Sequence, residues 1–170
     1  TDTLSGIENL IGSAFDDALK GVAGDNVLVG NAGDDELLGL GGTDTADYSG
    51  DPGAVTVNLG AGTATDGFGD SDTLSGIENL TGSAFGDTLD GTGGANTLLG
   101  GDGADSIRGL AGDDRIEGGT STHADSMIGG NGDDVIRDGQ GDDTAIGQGG
   151  NDSILGGVGD DSLVGGTGDD

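Results

Sequence analysis

Single aliphatic residues recur every nine positions along most of the chain, and mostly polar residues and glycines separate them. Successive side chains of a β-strand point to opposite faces, so the middle residue of a three-residue strand can face inward alone. The pattern predicts a six-residue turn and a three-residue strand in each unit, with a thin core between two sheets. The inward positions are Leu19, Leu28, Leu37, Ala46, Leu89, Leu98, Ile107, Ile116, Met127, Ile136, Ala145, Ile154 and Leu163.

The nine-residue units form two series. Four units occupy residues 12–47, and ten follow from residue 82 onward, one of them lengthened to eleven residues. A longer repeat of 70 residues relates the two series, since residues 2–10 recur identically as residues 72–80. Repetition at a fixed spacing indicates a solenoid, in which each unit is stable only when stacked on its neighbours. The chain starts and stops within this pattern, so we expect it to be a piece of a longer protein.

This organisation predicts three parts: a first roll segment at 1–47, a β spacer at 48–71 and a second, longer roll segment at 72–170. Large apolar residues stand just before each roll. Because a solenoid needs its open end covered, we expect these residues to form an N-terminal cap on each segment. The candidate cap residues are Ile7, Leu10 and Phe15 in the first segment and Ile77, Leu80 and Phe85 in the second.

The spacer breaks the nine-residue pattern but keeps an alternation of its own. Val55, Val57 and Leu59 alternate with polar residues, which favours β-structure that continues in wider coils. Pro52 and the surrounding glycines make a flexible linker the alternative. The sequence leaves both possibilities open.

The charge balance is the second strong signal. The 170 residues include 33 acidic and four basic ones, which gives a formal charge of −29, and only 31% are hydrophobic. Such a chain repels itself when folded unless a cation neutralises it. The same charge disfavours nucleic acid and anionic lipid as partners. Cysteine is absent, so hard oxygen atoms are the plentiful metal ligands, and these favour Ca²⁺.

The sixth position of each unit supplies the candidate ligands. If two units form one coil, loops on the same edge lie one strand spacing, about 4.8 Å, apart. A Ca²⁺ ion takes about six to eight oxygens, so it can lie between two such aspartates with backbone carbonyls completing its shell. The sixth positions hold Asp17, Asn26, Asp35, Asp44, Asp87, Asn96, Asp105, Asp114, Asp125, Asp134, Asp143, Asp152, Asp161 and Asp170.

Glycines complete the candidate sites. Glycine at the first or fourth position of a unit permits positive φ angles that aim carbonyls inward. Counting one ion between each pair of neighbouring loops on an edge gives roughly ten Ca²⁺ ions. We expect the weakest sites where asparagine or phenylalanine replaces the usual residue and at the insertion, residues 120–123. The fourth-position glycines are Gly24, Gly33, Gly42, Gly94, Gly103, Gly112, Gly132, Gly141, Gly150, Gly159 and Gly168.

These units resemble a known family. Residues 129–137 (GGNGDDVIR) and 156–164 (GGVGDDSLV) match the pattern GGxGxDxUx of the RTX calcium-binding nonapeptide repeat. The resemblance covers residues 12–47 and 82–170. It implies an all-β, right-handed parallel β-roll in two segments separated by an irregular β spacer. It also implies calcium-dependent folding and export to the cell exterior by type I secretion.

Three functions remain open from the sequence. The first is a calcium-triggered folding module of a secreted bacterial protein. The second is a calcium-rigidified structural or adhesive segment of a surface protein, and the third is an accessory module of a secreted hydrolase. We expect no catalysis in these residues, because no nucleophile elbow or phosphate-binding loop is present and His123 stands alone. Outward Ile128, Ile146 and Val164 suggest a docking strip for a neighbouring domain.

Overall fold

The structure, a computed structural model, describes residues 7–170; the start of the predicted first segment, residues 1–6, lies outside the described part. All regular elements within it are β-strands. The eighteen strands are β1 Asn9–Ile11, β2 Ala18–Lys20, β3 Val27–Val29, β4 Glu36–Leu38, β5 Thr45–Asp47, β6 Thr56–Asn58, β7 Thr63–Thr65, β8 Ser71–Ser75, β9 Asn79–Thr81, β10 Thr88–Asp90, β11 Thr97–Gly101, β12 Ser106–Ala111, β13 Arg115–Gly119, β14 Ser126–Asn131, β15 Val135–Gln140, β16 Thr144–Gly149, β17 Ser153–Val158 and β18 Ser162–Thr167.

The strands form two sheets, and the chain passes from one sheet to the other at nearly every turn. An eight-stranded sheet has the order β1-β3-β5-β9-β11-β13-β15-β17, and a ten-stranded sheet has the order β18-β16-β14-β12-β10-β6-β7-β8-β4-β2. Neighbouring strands are parallel except where β7 pairs with β6 and β8. This arrangement confirms the predicted all-β parallel solenoid. All eight strands after residue 96 contain five or six residues, longer than the three that the pattern predicts.

A single layer of aliphatic side chains fills the space between the sheets. Leu98, Ile116 and Ile136 stack in register in the smaller sheet and are fully buried. Ile107 and Met127 do the same in the larger sheet. The predicted inward positions therefore form the core, although Leu163 in the last strand is 45% exposed because no further coil covers it.

The spacer lies inside the solenoid as a β-meander. Strand β7 runs antiparallel to β6 and β8, and the three strands join β4 to β10 within the larger sheet. In the smaller sheet, β5 pairs directly with β9, so hydrogen bonding continues from the first segment into the second. The boundaries 1–47, 48–71 and 72–170 stay a prediction of domain organisation, and strand pairing crosses both of them.

The predicted cap of the second segment has a different role in the structure. Leu80 pairs with Ala46 on one side and Leu98 on the other, and it is almost fully buried. Ile77 is also buried, whereas Phe85 is 45% exposed. Residues 77–80 thus form an interior coil and cover no open end. The sequence could not show this, because the same residues in the first copy stand at the beginning of the solenoid.

The outward strip of the larger sheet has the register that the sequence predicts. Ile128 pairs with Ile146, and Ile146 pairs with Val164. The two isoleucines are half-buried and Val164 is half-exposed. Within residues 7–170, no helix has the length and apolar character needed to cross a membrane.

Ile136→Ala should destabilise the calcium-loaded chain by about 2–5 kcal/mol, since the truncation leaves a cavity in a layer one side chain thick. Leu155→Ala is the matched control, because Leu155 lies one coil away on the outer face and is 61% exposed. Urea unfolding followed by circular dichroism measures both variants. Equal losses would contradict the assignment of this layer as the core.

Candidate metal centre

The sixth-position residues of the units stack in two columns, one along each edge of the solenoid. In the first column, the backbone N–H of Asp105 donates to Oδ1 of Asp125 and that of Asp125 donates to Oδ1 of Asp143, both at 2.8 Å. In the second column, Asp114 donates to Asp134 in the same way at 2.8 Å. The structure therefore brings the predicted ligands of neighbouring coils together, as the two-units-per-coil interpretation requires.

Each of these carboxylates uses one oxygen in the column and aims the other into the interior. Apart from the residues of the outer coils, most sixth-position aspartates have a buried Oδ2 atom without a hydrogen-bond partner. A buried charged oxygen without a partner is strongly unfavourable, so these atoms call for a cation. The sixth-position residues with such an unpartnered Oδ2 are Asp35, Asp44, Asp105, Asp114, Asp134, Asp143 and Asp152.

In several units a backbone carbonyl of the next coil lies beside the free carboxylate oxygen. A Cβ atom added at Gly147, the first position of its unit, would lie 2.2 Å from Oδ2 of Asp152 and 2.6 Å from the carbonyl oxygen of Gly165 in the next coil. Gly100 has the same surroundings, with Oδ2 of Asp105 at 2.2 Å. First-position glycine thus leaves a cradle between one carboxylate and one carbonyl. Any side chain there would fill it.

The second position of the unit divides the loops into two kinds. In four loops its backbone N–H donates to the sixth-position side chain of the same loop, as Ser83 does to Oδ2 of Asp87 at 2.6 Å and Thr92 to Oδ1 of Asn96 at 2.7 Å. We call these loops closed, because the oxygen already has a partner. The closed loops are 12–17, 21–26, 82–87 and 91–96.

In the ten other loops, which we call open, the second-position residue has a positive φ and makes no such bond. In the second series this residue pairs with its counterpart in the neighbouring coil, as Gly101 does with Gly119. Open loops therefore leave the sixth-position carboxylate free for a metal. The second-position residues of the open loops are Asn31, Leu40, Gly101, Leu110, Gly119, Gly130, Gly139, Gln148, Gly157 and Gly166.

The backbone conformation corrects the predicted role of glycine. Positive φ angles occur at the second and fourth positions, and the first position needs glycine for space. Gly24 and Gly94, in closed loops, do not adopt a positive φ. The predicted fourth-position glycines that do are Gly33, Gly42, Gly103, Gly112, Gly132, Gly141, Gly150, Gly159 and Gly168.

The eleven-residue unit keeps its place in the column despite its insertion. Asp125 accepts a hydrogen bond from Asp105 and donates one to Asp143 at the usual 2.8 Å. The carbonyl of His123 lies 2.1 Å from the Cβ position of Gly141, where other coils present the carbonyl of a fourth-position residue. The insertion therefore bulges outward between the second and fourth positions. The weak site expected at this unit stays a prediction; Oδ2 of Asp125 is not one of the buried unpartnered oxygens, unlike those of Asp105 and Asp143.

Two acidic residues outside the nonapeptide pattern continue the columns through the joint, the region where the first roll segment meets the second. Asp35 donates its N–H to Oδ1 of Asp72 at 3.0 Å, and Asp44 donates to Oε2 of Glu78 at 2.8 Å. The second oxygen of Asp72 accepts a hydrogen bond from the Tyr48 hydroxyl at 3.1 Å. Asp72 was not predicted from the sequence, because it lies in strand β8, outside the nonapeptide units.

Burial raises the pKa of the column carboxyls. Desolvation is the main cause, backbone N–H donors offset part of it, and carboxylates of adjacent coils add to the increase. The pKa rises to about 7 for Asp105 and Asp114 and to about 6 for Asp125 and Asp134. A cation between the coils would reverse this effect, because an opposite charge favours the ionised form.

Lowering the pH should weaken calcium binding and stabilise the metal-free fold. Because the folded pKa values are raised, the metal-free folded chain holds protons that the unfolded chain has lost, so its stability falls as pH rises from about 4 to about 7. When the pH is lowered from 7.5 to 5.5, we expect the calcium concentration at the midpoint of folding to rise. We also expect the circular dichroism signal of β-structure in the metal-free chain to grow. Circular dichroism during calcium titration tests this at each pH. A midpoint that does not move would count against buried, proton-binding aspartates.

The chemistry of the columns fits a hard divalent cation. The free groups are carboxylate and carbonyl oxygens, which Ca²⁺ prefers, and Mg²⁺ would demand a smaller and stricter octahedron. Within residues 7–170, no three acidic or histidine side chains converge as a metal cluster. In the units that begin at Gly100, Gly109, Gly118 and Gly147, one carboxylate oxygen and one backbone carbonyl oxygen lie close together.

Comparison with known proteins identifies the repeat. The sequence model of one family, the RTX calcium-binding nonapeptide repeat (4 copies), matches residues 2–46, 72–107, 90–120, 120–154 and 137–170. These matches cover most of the chain, and residues 47–71, which contain strands β6 and β7, lie outside them. Compared with curated protein sequences, the chain shows no match.

Proposed function

Because the chain belongs to the RTX calcium-binding nonapeptide repeat family, we propose that it is a calcium-gated folding module of a larger secreted protein. The observation that carries the proposal is the pair of columns of buried carboxylates whose second oxygens have no partner. Where calcium is scarce these charges oppose folding. Where calcium is abundant, as outside a cell, the ions replace the missing partners and the roll forms.

Open loops define which sites hold ions. We propose that a site needs two neighbouring open loops on one edge. The second series has four open loops in a row on each edge, which makes three such pairs per edge. The open loops are 100–105, 118–125, 138–143 and 156–161 on one edge and 109–114, 129–134, 147–152 and 165–170 on the other. We therefore propose roughly six ions, fewer than the ten that follow from counting every pair. Six divalent cations would change the formal charge from −29 to −17.

Closed loops give the first part of each copy a different function. Their oxygens are satisfied by the chain itself, so they stabilise coils without calcium. In two of them Phe15 or Phe85 replaces the fourth-position glycine, because a loop that binds no metal needs no turn that aims a backbone carbonyl at one. We propose that these coils form the platform on which the calcium-dependent coils assemble, since a solenoid grows by stacking on a formed neighbour.

The chain should be largely unfolded in excess chelator and should gain its β-signal when calcium is added. Stability then rises with calcium concentration, because the ions bind the folded chain far better than the unfolded one. Circular dichroism with calcium, with magnesium and with chelator measures this, and magnesium should be much less effective. A chain that is folded equally in all three conditions would refute calcium-gated folding.

Asp134→Asn should remove roughly two of the bound ions, because Asp134 lies between two open neighbours and a neutral side chain weakens both sites. Asp87→Asn is the matched control, since Asp87 holds the same position in a closed loop. Native mass spectrometry at saturating calcium counts the ions. If Asp87→Asn loses ions and Asp134→Asn does not, the division into open and closed loops is wrong.

A rigid segment of a surface protein is the second candidate. It is favoured by the continuity of the smaller sheet through the joint, where β5 pairs with β9, and by the apolar strip Ile128, Ile146 and Val164, which offers a face for a neighbouring domain. Both candidates use the same calcium sites. We place any catalytic activity of the whole protein, including that of a secreted hydrolase, outside these residues.

A further inference from the structure

One unit departs from the others at its first position. Every other unit of the two series begins with glycine, whereas residues 138–146 begin with Asp138. The first position is the place where a side chain would enter the cradle between a carboxylate and a carbonyl. An acidic residue there fills the cradle with two more oxygen atoms.

Asp138 is completely buried, and neither of its carboxylate oxygens has a hydrogen-bond partner. The sixth-position aspartates differ from it, because their Oδ1 atoms accept a backbone N–H from the preceding coil. A carboxylate without any partner in the interior is among the least favourable groups a fold can contain. A fold keeps it only when something binds it.

The loop that contains Asp138 and its neighbour in the next coil are both open loops. Its own loop supplies Asp143, whose Oδ2 is also buried and unpartnered, and the N–H of Asp143 donates to Oδ1 of Asp161 at 3.1 Å. Gly139 and Gly157, the second-position residues of the two loops, both have positive φ angles. No backbone N–H competes for the free oxygens between these coils.

The direction of the Asp138 side chain follows from its equivalents. At Gly118 and Gly147 the Cβ position faces Oδ2 of the same unit and the first-position carbonyl of the next coil. The same backbone geometry directs the Asp138 side chain toward Asp143 and the coil that carries Asp161. The buried cradle beside Oδ2 of Asp143 therefore receives a second carboxylate, whereas the cradles of the other units hold one.

We propose that Asp138 is an additional Ca²⁺ ligand and that the site between loops 138–143 and 156–161 is the tightest in the chain. The inference rests on the proposed calcium function and adds a hierarchy among the sites. Affinity for Ca²⁺ rises with the number of charged ligands, so a cradle that holds both Asp138 and Asp143 binds the ion more tightly than one with a single carboxylate. This site fills first and seeds the ordering of the coils on both sides.

Calcium titration of the full 170-residue chain against a chelating dye tests the proposal. The wild-type chain should bind one ion at least about tenfold more tightly than the others, and Asp138→Gly and Asp138→Asn should each lose that tight class. Asp138→Gly restores the residue found in every other unit, so it should still fold in saturating calcium. Asp160→Asn is the charge-matched control and should keep the tight class, because Asp160 is exposed in the neighbouring loop.

The outcomes separate the two proposals. If the chain binds no calcium, the proposed function fails. If calcium binds but the first ion has the same affinity in the wild type and in Asp138→Gly, Asp138 is not a ligand. A variant Asp138→Gly that binds the first ion more tightly would also overturn the inference, since it would show that the acid only opposes folding.

Discussion

The repulsion between carboxylates stacked one strand spacing apart is the constraint on which this structure depends. Parallel coils repeat every ~4.8 Å, so any residue placed once per coil forms a column, and the column of sixth-position aspartates concentrates charge along each edge. The single-layer core is too thin to offset that repulsion together with the entropy lost by 42 glycines. Core packing and hydrogen bonding therefore determine the form of the solenoid, and we propose that bound cations supply the remaining stability.

The loops accommodate the sixth-position side chain in two ways. A closed loop turns a backbone N–H onto the sixth-position side chain, as Thr92 does to Asn96, and so satisfies it within the chain. An open loop places its second residue in a left-handed conformation and leaves the oxygen free. The closed loops come in adjacent pairs near the start of each copy, so each copy begins with coils whose sixth-position oxygens accept hydrogen bonds within the chain. The second residue of a closed loop is Ser, Thr or Val, and that of an open loop is Gly, Asn, Leu or Gln, so this position distinguishes the two kinds of loop.

The sequence predicted what depends on period and left out what depends on conformation. The inward aliphatic series predicted the core because strand alternation leaves one buried position per unit, and the same period placed Asp105, Asp125 and Asp143 in one column. The joint could not be predicted from local pattern: residues 72–80 repeat residues 2–10, yet Leu80 is an interior residue because β5 lies beside it. The positive φ angles at the second position could not be predicted either, since Leu110 and Gln148 adopt them without being glycine.

The unequal sheets have a consequence for the shape of the molecule. The meander places β6, β7 and β8 between β4 and β10, where a regular solenoid would have one strand, so the larger sheet has two more strands than the smaller one across the same coils. The difference is two strand spacings, about 10 Å, and we expect it to turn the axis of the solenoid toward the smaller sheet. The joint thus acts as a wedge, and a protein built from several 70-residue copies would follow a curved path whose radius is set by the spacing of its wedges.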